Sequence, residues 1–157
     1  MGFWWVNHKQ TFNQEIGGGY IWSPKEDKNG ARNQAYINLT LTKVNDTVFS
    51  YAGGYIRAVG DVIKECQGHL RPNEFGDIGD QWDKHGWLVK VDWRMLQTPL
   101  SPTAHISEIA PLLPNKYSPI RKNGKGNQKC YLAEVNESLA EVLLNLIRSE
   151  NKNFDDR

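Results

Sequence analysis

An alternation of apolar and polar side chains over residues 87–95 constrains the fold more than any other feature. Every second residue is apolar, and Lys90, Asp92 and Arg94 stand between them. A period of two predicts a strand with one buried face. Pro99 and Pro102 are predicted to end this strand. Since a single strand is not stable alone, the rest of the chain must supply a sheet around it.

The other segments predict further strands mixed with short helices. Buried strands are expected at residues 3–7, 47–51, 55–64 (with a bulge at Gly60) and 129–135, and helices at 12–16, 31–41, 103–110 and after Asn136. Residues 67–85 are polar and irregular. This order predicts an α+β domain built on a small curved mixed sheet or barrel flanked by short helices. The domain is expected to span residues 1–148, with 149–157 as a polar tail or the start of a linker.

The charge balance limits how the chain can contact nucleic acid. A formal net charge of +1 is too small for a protein that coats nucleic acid without specificity, so such contact requires a local basic patch. Six Trp stand beside six Tyr and five Phe. These aromatics build a core, but they can also supply flat faces on which bases stack.

The sequence favours neither a membrane protein nor a metalloprotein. No charged and apolar leader begins the chain, so a cytoplasmic location is expected. Cys66 and Cys130 form no Cys-x-x-Cys pair, which argues against a disulfide framework. Cys66, His69 and His85 have ligand-like spacing, but no second ligand pair accompanies them. We therefore expect no metal and no cofactor.

The sequence matches none of the following common catalytic motifs. The sequence contains no Gly-x-Ser-x-Gly elbow and no His-x-x-x-His pair. Gly124-Lys125 lacks the earlier glycine of a phosphate loop, since that position is Pro119. Asp77, Asp80 and Asp83 could bind a cation or serve a nuclease, or form a solvated acidic loop. The chain itself is therefore not expected to be an enzyme.

Several segments in a shared order resemble EVE domains, which belong to the PUA-like superfamily. They are residues 3–7, 19–23, 31–35, 48–51 and 57–62. Three segments are also similar to the YTH readers of N6-methyladenine, namely 21–23, 48–50 and 89–93, and residues 99–114 match the stretch that follows. The resemblance covers about 3–147. Its Trp-Trp-Val-Asn and Gly-Gly-Gly-Tyr-Ile-Trp-Ser-Pro runs are most similar to N-terminal domains of bacterial modification-dependent restriction endonucleases that carry an HNH nuclease further along.

The resemblance implies a pocket for a flipped base. Trp22 corresponds to a wall of the YTH base cage, and Ser23 would present a backbone group to the base edge. Tyr51, Phe75 and Trp82 are the candidates for the second wall. An aromatic wall replaces the stacking that a flipped base loses. The alternative for Trp22 is a hydrophobic plug under a loop.

Polar residues around this expected pocket would set its specificity. Asn7 and His8 stand where YTH domains have Lys-Ser, which argues against N6-methyladenine. The Asn7 amide could read a base edge or make a strand-end turn bond. Asp80 or Asp83 could accept from a cytosine amino group. The candidate phosphate contacts are Arg121, Lys122 and Lys125, in a basic loop that could also be merely solvated, together with Arg32 from outside that loop.

Two functions follow as hypotheses. The first is a DNA-binding domain that reads 5-methylcytosine or 5-hydroxymethylcytosine as the specificity module of a restriction endonuclease, with a C-terminal nuclease domain in the full-length protein. The second is an RNA-binding or N6-methyladenine-reading module of YTH type. A third, less specific hypothesis is a small-molecule or protein-binding domain with an aromatic core, which a fully buried Trp22 would favour.

Overall fold

The described residues form six strands, namely β1 (Phe3–Asn7), β2 (Tyr20–Pro24), β3 (Thr47–Ala52), β4 (Tyr55–Leu70), β5 (His85–Leu100) and β6 (Leu132–Val135). The computed structural model describes residues 2–26, 33–78, 85–127 and 130–154. The strands make one sheet in the order β2-β5-β4-β3-β1-β6. β1 and β3 are parallel, and the other neighbouring pairs are antiparallel. The predicted α+β fold on a curved mixed sheet is confirmed.

The two longest strands curl the sheet into a half-barrel. β4 and β5 have 16 residues each, and their register shifts at three places. Unequal numbers of residues between paired positions bend a strand and increase its twist. The predicted bulge at Gly60 is wrong, because Gly60 pairs regularly with Trp93. A Cβ at Gly60 would lie 2.3 Å from Val91 Cγ1, so this glycine makes room for side chains.

The predicted end of β5 is also wrong. The strand continues through Pro99 and pairs Leu100 with Ile56. Between Ala58 and Ile56 the register of the pair shifts, so Pro99 lies where the regular ladder is interrupted. A proline is tolerated at such a position because its missing N–H breaks no regular ladder bond.

The irregular segment is shorter than the sequence predicts. β4 extends to Leu70 and β5 begins at His85, so residues 67–70 belong to the sheet. Residues 71–78 include a 3₁₀ turn, Asn73–Phe75. Several predicted residues fall outside the described ranges, namely Arg32, Asp80, Trp82 and Asp83.

Four short or medium helices flank the sheet in the described residues, namely α1 (Phe12–Gly18), α2 (Gln34–Ile37), α3 (Ile106–Ile109) and α4 (Glu137–Glu150). The helix predicted over 31–41 becomes α2 followed by a 3₁₀ turn, Asn38–Leu41. The buried Asn38 amide donates to Leu132 O at 2.9 Å, which ties this turn to β6. Asn136 caps α4 as predicted, since its Oδ1 accepts from Leu139 N at 2.8 Å.

The sheet packs a hydrophobic core against each face. On one face, Trp5 and Phe49 pack with Leu143 and Ile147 of α4. On the other face, Trp4 and Val6 pack in a second cluster with strand residues of β2, β4 and β5. Successive side chains of a strand point to opposite faces, so β1 contributes to both cores. No helix within the described ranges is long and apolar enough to cross a membrane.

The C-terminal boundary predicted at residue 148 is too early. α4 runs to Glu150, and the following Asn151 is buried. Its side-chain oxygen accepts from Thr98 N at 2.8 Å, and its amide donates to Thr98 O at 3.1 Å. These two bonds join the end of α4 to β5, so residues 149–151 are part of the domain. Phe154 also packs against the core.

Candidate nucleic-acid-binding site

β2 directs Trp22 and Ser23 to opposite faces of the sheet. Trp22 pairs with Leu88 of β5 and joins an outer cluster with Tyr20 and Phe75. The next residue, Ser23, is buried, and its hydroxyl donates to Pro24 O at 3.0 Å. The alternation along a strand therefore separates the two residues that the sequence placed together.

The Trp22 indole is enclosed in this structure. Only 1% of the residue is exposed, and the Phe75 ring stands edge-on to it at 5.7 Å and 85°. Its Nε1 donates to His69 O at 3.0 Å. The expectation of an open aromatic face is thus contradicted, because the 3₁₀ turn before Gly76 carries Phe75 onto the indole. The hydrophobic-plug alternative describes this conformation.

Gly86 lets the backbone of β5 lie against the same indole. A Cβ at Gly86 would come within 2.3 Å of the indole carbons and of Ser23 O. We expect Gly86→Ala to lower the free energy of unfolding by about 1–3 kcal/mol through overpacking. The matched control is Gly17→Ala in α1, where nothing lies within 4 Å and a gain of about 0.5–1 kcal/mol is expected. Denaturant unfolding measures both, and an unchanged midpoint for Gly86→Ala would contradict the packing described.

Phe75 is the predicted second-wall residue that the fold brings to Trp22. It also stacks near Tyr20, with ring centroids 6.4 Å apart. The Tyr20 hydroxyl donates to Glu74 Oε2 at 2.8 Å. Burial and the Glu74 carboxylate raise the pKa of Tyr20, so this hydroxyl remains a donor at neutral pH. This hydrogen bond helps to anchor the turn that carries Phe75.

Tyr51 does not approach Trp22. It is buried on the α4 face, with its ring 5.2 Å from that of Trp5. A Cβ at Gly126 would lie 3.2 Å from Tyr51 Cε1, so the ring also contacts the loop that follows residue 120. The prediction of Tyr51 as a pocket wall is therefore wrong in geometry, since β3 directs this side chain to the other core.

A buried carboxylate that the sequence did not indicate fixes the backbone of Trp22. Glu15 of α1 is fully buried, and its Oε2 accepts from Trp22 N at 2.6 Å. The Tyr131 hydroxyl donates to the same oxygen, and the Thr11 hydroxyl donates to Oε1 at 2.5 Å. Thr11 therefore uses its hydroxyl on Glu15 rather than on the helix backbone. The four-residue spacing of Thr11 and Glu15, which brings two side chains together on a helix, was the one feature of the sequence that could have indicated this contact.

His8 extends this buried network. Its Nδ1 lies 3.2 Å from Glu15 Oε1, and its Nε2 lies 2.6 Å from Ser50 Oγ. The order serine, histidine, glutamate resembles a nucleophile relay. However, His8 is 2% exposed and Ser50 is fully buried, so the hydroxyl faces no cleft. The network holds β1, β3 and α1 together, and the predicted contact of His8 with a base is not possible in this conformation.

The Asn7 amide binds the protein's own backbone. Its Nδ2 donates to Pro119 O at 3.0 Å and Cys130 O at 2.6 Å. Its Oδ1 accepts from Trp5 Nε1 at 2.9 Å. The predicted reading of a base edge is thus contradicted, because these bonds occupy the amide. The alternative, a turn bond at the strand end, does not describe these contacts either, because the two acceptors lie more than one hundred residues away in the sequence.

The basic loop is a tight hairpin with exposed cations. Ile120 bridges Gly126, and Arg121 N donates to Lys125 O at 2.8 Å. Gly124 has φ +88, which a side chain would strain, and a Cβ there would meet Thr103 at 2.7 Å. The side chains of Arg121, Lys122 and Lys125 are exposed. Asn7 and the Tyr51 ring hold the two ends of this hairpin against the sheet.

A small cleft opens where β2 ends beside β4 and β5. It has a volume of about 210 Å³ and is lined by Lys25, Gly68, His69, Leu70, His85 and Gly86. Lys25 Nζ lies 4.4 Å above the centre of the Trp87 ring. Trp87 belongs to the apolar alternation that predicts one buried face of β5, yet it is only partly buried. Through Gly86 and His69, this cleft adjoins the enclosed Trp22.

Both thiols are protonated at neutral pH. Burial raises the pKa of Cys66 to about 11, although a backbone contact and Lys25 oppose the shift. Burial also raises the pKa of Cys130 to about 11. Within the described part of the chain, no three His, Cys, Asp or Glu side chains converge as a metal site.

The curled mixed sheet flanked by short helices is the PUA-like fold, and solved structures share it. No protein-family model matches the sequence, and no curated protein matches it. The YTH domain of Zygosaccharomyces rouxii MRB1, in complex with N6-methyladenosine RNA, is 13% identical with a TM-score of 0.58, over 94% of this chain and 86% of that one.

Two other structures show the same fold. Human THYN1, in complex with DNA containing 5-methylcytosine, is 14% identical with a TM-score of 0.55, over 94% of this chain and 98% of that one. The ASCH protein of Zymomonas mobilis is 11% identical with a TM-score of 0.58, over 92% and 95% of the chains. The resemblance to restriction endonucleases remains a prediction.

Proposed function

We propose that this chain is a nucleic-acid-binding module that holds a modified base against Trp22. The observation that carries the proposal is the Trp22–Phe75 ring pair, in which one ring belongs to the sheet and the other to a short turn. Phe75 occupies one side of the indole. A flipped base would therefore enter in place of the Phe75 ring and take over its aromatic contact.

The proposal depends on an energetic balance. Flipping a base costs a few kcal/mol, and stacking on one aromatic ring returns about 1–3 kcal/mol. Displacing Phe75 adds a further cost, so contacts to the sugar-phosphate chain must supply much of the affinity. Arg121, Lys122 and Lys125 project from a hairpin that Asn7 fixes, and this placement lets them bind phosphates without first ordering a loop.

We further propose that the base is 5-methylcytosine or 5-hydroxymethylcytosine in DNA. Human THYN1, which shares the fold, is described in complex with DNA containing 5-methylcytosine. Asn7 and His8 replace the Lys-Ser of YTH domains, which weighs against N6-methyladenine. In this proposal the chain supplies recognition to a modification-dependent restriction endonuclease, and an HNH-type nuclease domain elsewhere in that protein cuts the DNA.

A titration on short duplexes tests the proposal. The duplexes are identical except for one 5-methylcytosine, 5-hydroxymethylcytosine, N6-methyladenine or unmodified base, and an N6-methyladenosine RNA tests the YTH-type alternative. We expect one modified cytosine to bind about tenfold tighter than the unmodified base, and the duplex to be recovered uncut. Equal affinity for every probe would refute modified-base reading.

A hairpin variant serves as the control for this titration. Replacing Arg121, Lys122 and Lys125 with glutamine is expected to weaken all duplexes alike. The slope of log affinity against log salt should fall by about 2–3, since each phosphate contact contributes about 0.9. The relative preference for the modified base should persist. If the affinity and its salt slope stay unchanged, these three side chains do not contact the phosphates.

A further inference from the structure

An exposed tyrosine stands within the most basic part of the chain. Between Glu108 and Glu134 the sequence has no carboxylate, but it has five cations, namely Lys116, Arg121, Lys122, Lys125 and Lys129. In a chain of net charge +1, this is the local patch that nucleic-acid contact requires. Tyr117 lies in this segment and is 60% exposed.

The backbone of Tyr117 is strained. Its φ is +55, in the left-handed region that glycine and asparagine tolerate and a bulky side chain rarely adopts. Such strain persists only where the surroundings impose it, and it is concentrated at functional sites. A strained residue that buries its ring would have a packing reason, but this ring faces solvent.

Three consecutive carbonyls hold this strained segment in place. Tyr117 O accepts from Cys130 Sγ at 3.6 Å, and the raised pKa of Cys130 keeps that thiol protonated. Ser118 O accepts from Asn127 Nδ2 at 3.0 Å, and Pro119 O accepts from Asn7 Nδ2 at 3.0 Å. One of these side chains, Asn7, also holds the hairpin of Arg121, Lys122 and Lys125 against the sheet.

We propose that Tyr117 is a stacking platform for an unpaired base of the strand whose phosphates Arg121, Lys122 and Lys125 bind. This inference rests on the proposed nucleic-acid binding, but it concerns a second base, distinct from the one at Trp22. Every base has a π-face, so this contact is indifferent to sequence and to modification. Because the backbone of Tyr117 is already fixed, little backbone freedom is lost when a base stacks on its ring. The ligand class is single-stranded nucleic acid or an unpaired nucleotide beside a duplex.

Two substitutions of Tyr117 separate stacking from structure. Asparagine tolerates the left-handed backbone but has no ring, whereas tryptophan keeps an aromatic face. With a labelled, unmodified single-stranded oligodeoxynucleotide at low salt, we expect Tyr117→Asn to bind about tenfold more weakly and Tyr117→Trp to match the native chain. The salt slope should be unchanged in both, because neither removes a charge. The thermal midpoint of Tyr117→Asn should be equal to or above that of the native chain, since its strain is relieved.

The results distinguish this inference from the proposed function. The platform is overturned if Tyr117→Asn binds the single strand as tightly as the native chain. It is also overturned if the loss of affinity is accompanied by a lower thermal midpoint, because the variant would then be destabilised. If the native chain prefers the modified duplex while Tyr117→Asn keeps full affinity for the single strand, modified-base reading stands and the stacking platform is overturned. If single-strand binding depends on Tyr117 but no modified base is preferred, the platform stands and the reader fails. If the native chain binds no nucleic acid, both are overturned.

Discussion

Glu15→Ala is expected to lower the free energy of unfolding by about 3–5 kcal/mol, because it removes the acceptor at the centre of a buried network. The Thr11 and Tyr131 hydroxyls would lose their acceptor. Trp22 N would lose its bond to Glu15 and retain its 3.1 Å contact with the Tyr131 hydroxyl. Each buried polar group without a partner costs about 1–3 kcal/mol. Chemical denaturation of the purified chain measures the change.

Two further variants show whether the carboxylate itself matters. Glu15→Gln keeps the shape and one oxygen but turns an NH₂ toward the donors, so an intermediate loss is expected. Glu141→Ala, on the exposed face of α4, should change stability by less than about 0.5 kcal/mol. Should Glu15→Ala prove as harmless as Glu141→Ala, the network would not be what fixes the Trp22 backbone.

Phe75→Ala is expected to strengthen binding to duplex carrying the preferred modified base by about tenfold, although it destabilises the fold. In the proposed mode of binding, the base must first displace a ring that is 2% exposed in the native chain, which lowers the apparent affinity. Without that ring the slot beside Trp22 is open. The same change removes a buried aromatic and should cost about 3–5 kcal/mol of stability.

A core variant separates these two effects. Leu139→Ala removes a fully buried side chain of α4, which belongs to the separate cluster of Trp5 and Phe49, and should cost about 2–5 kcal/mol without altering base preference. Weaker binding by Phe75→Ala would instead make Phe75 a wall on which the base stacks. Trp22→Ala is less informative, since Trp22 is itself a core residue and its loss would combine unfolding with loss of the site.

In the proposed site, Trp22 is a fixed wall and Phe75 is a wall that moves. The backbone of Trp22 is held by Glu15, and its indole is bonded to His69 O. Phe75 belongs to a three-residue turn whose side-chain anchor is the bond between Tyr20 and Glu74. Because short turns with exposed neighbours open more readily than strands, we infer that ligand entry moves Phe75 rather than Trp22.

Much of the fold was predictable because local patterns determine local structure. The period of two in residues 87–95 identified β5, and the apolar run at 3–7 identified β1. Asn136 marked the start of α4. The strand extensions were missed because β4 and β5 continue through polar residues and through Pro99. There, pairing with a neighbouring strand outweighs local preference.

The candidate site was only partly accessible to sequence reasoning. The exposed cations Arg121, Lys122 and Lys125 and the nearness of Phe75 to Trp22 could be predicted from order along the chain and resemblance. The enclosure of Trp22, the burial of His8 and the tertiary bonds of Asn7 could not, because each depends on partners 42 to 123 residues away. Strand register decides which face a side chain occupies, and a shift of one residue reverses it.

The class of the fold, the aromatic content and the basic segment between residues 108 and 134 follow from the amino-acid sequence alone. Periodicity, composition and charge are properties of neighbouring residues, so they need no coordinates. Three features instead depend on the folded chain: Asn7 holds the hairpin, Glu15 holds Trp22, and Tyr117 stays exposed on a strained backbone. The physical reason is that hydrogen bonding and burial depend on long-range contacts, which the curl and register of the sheet establish.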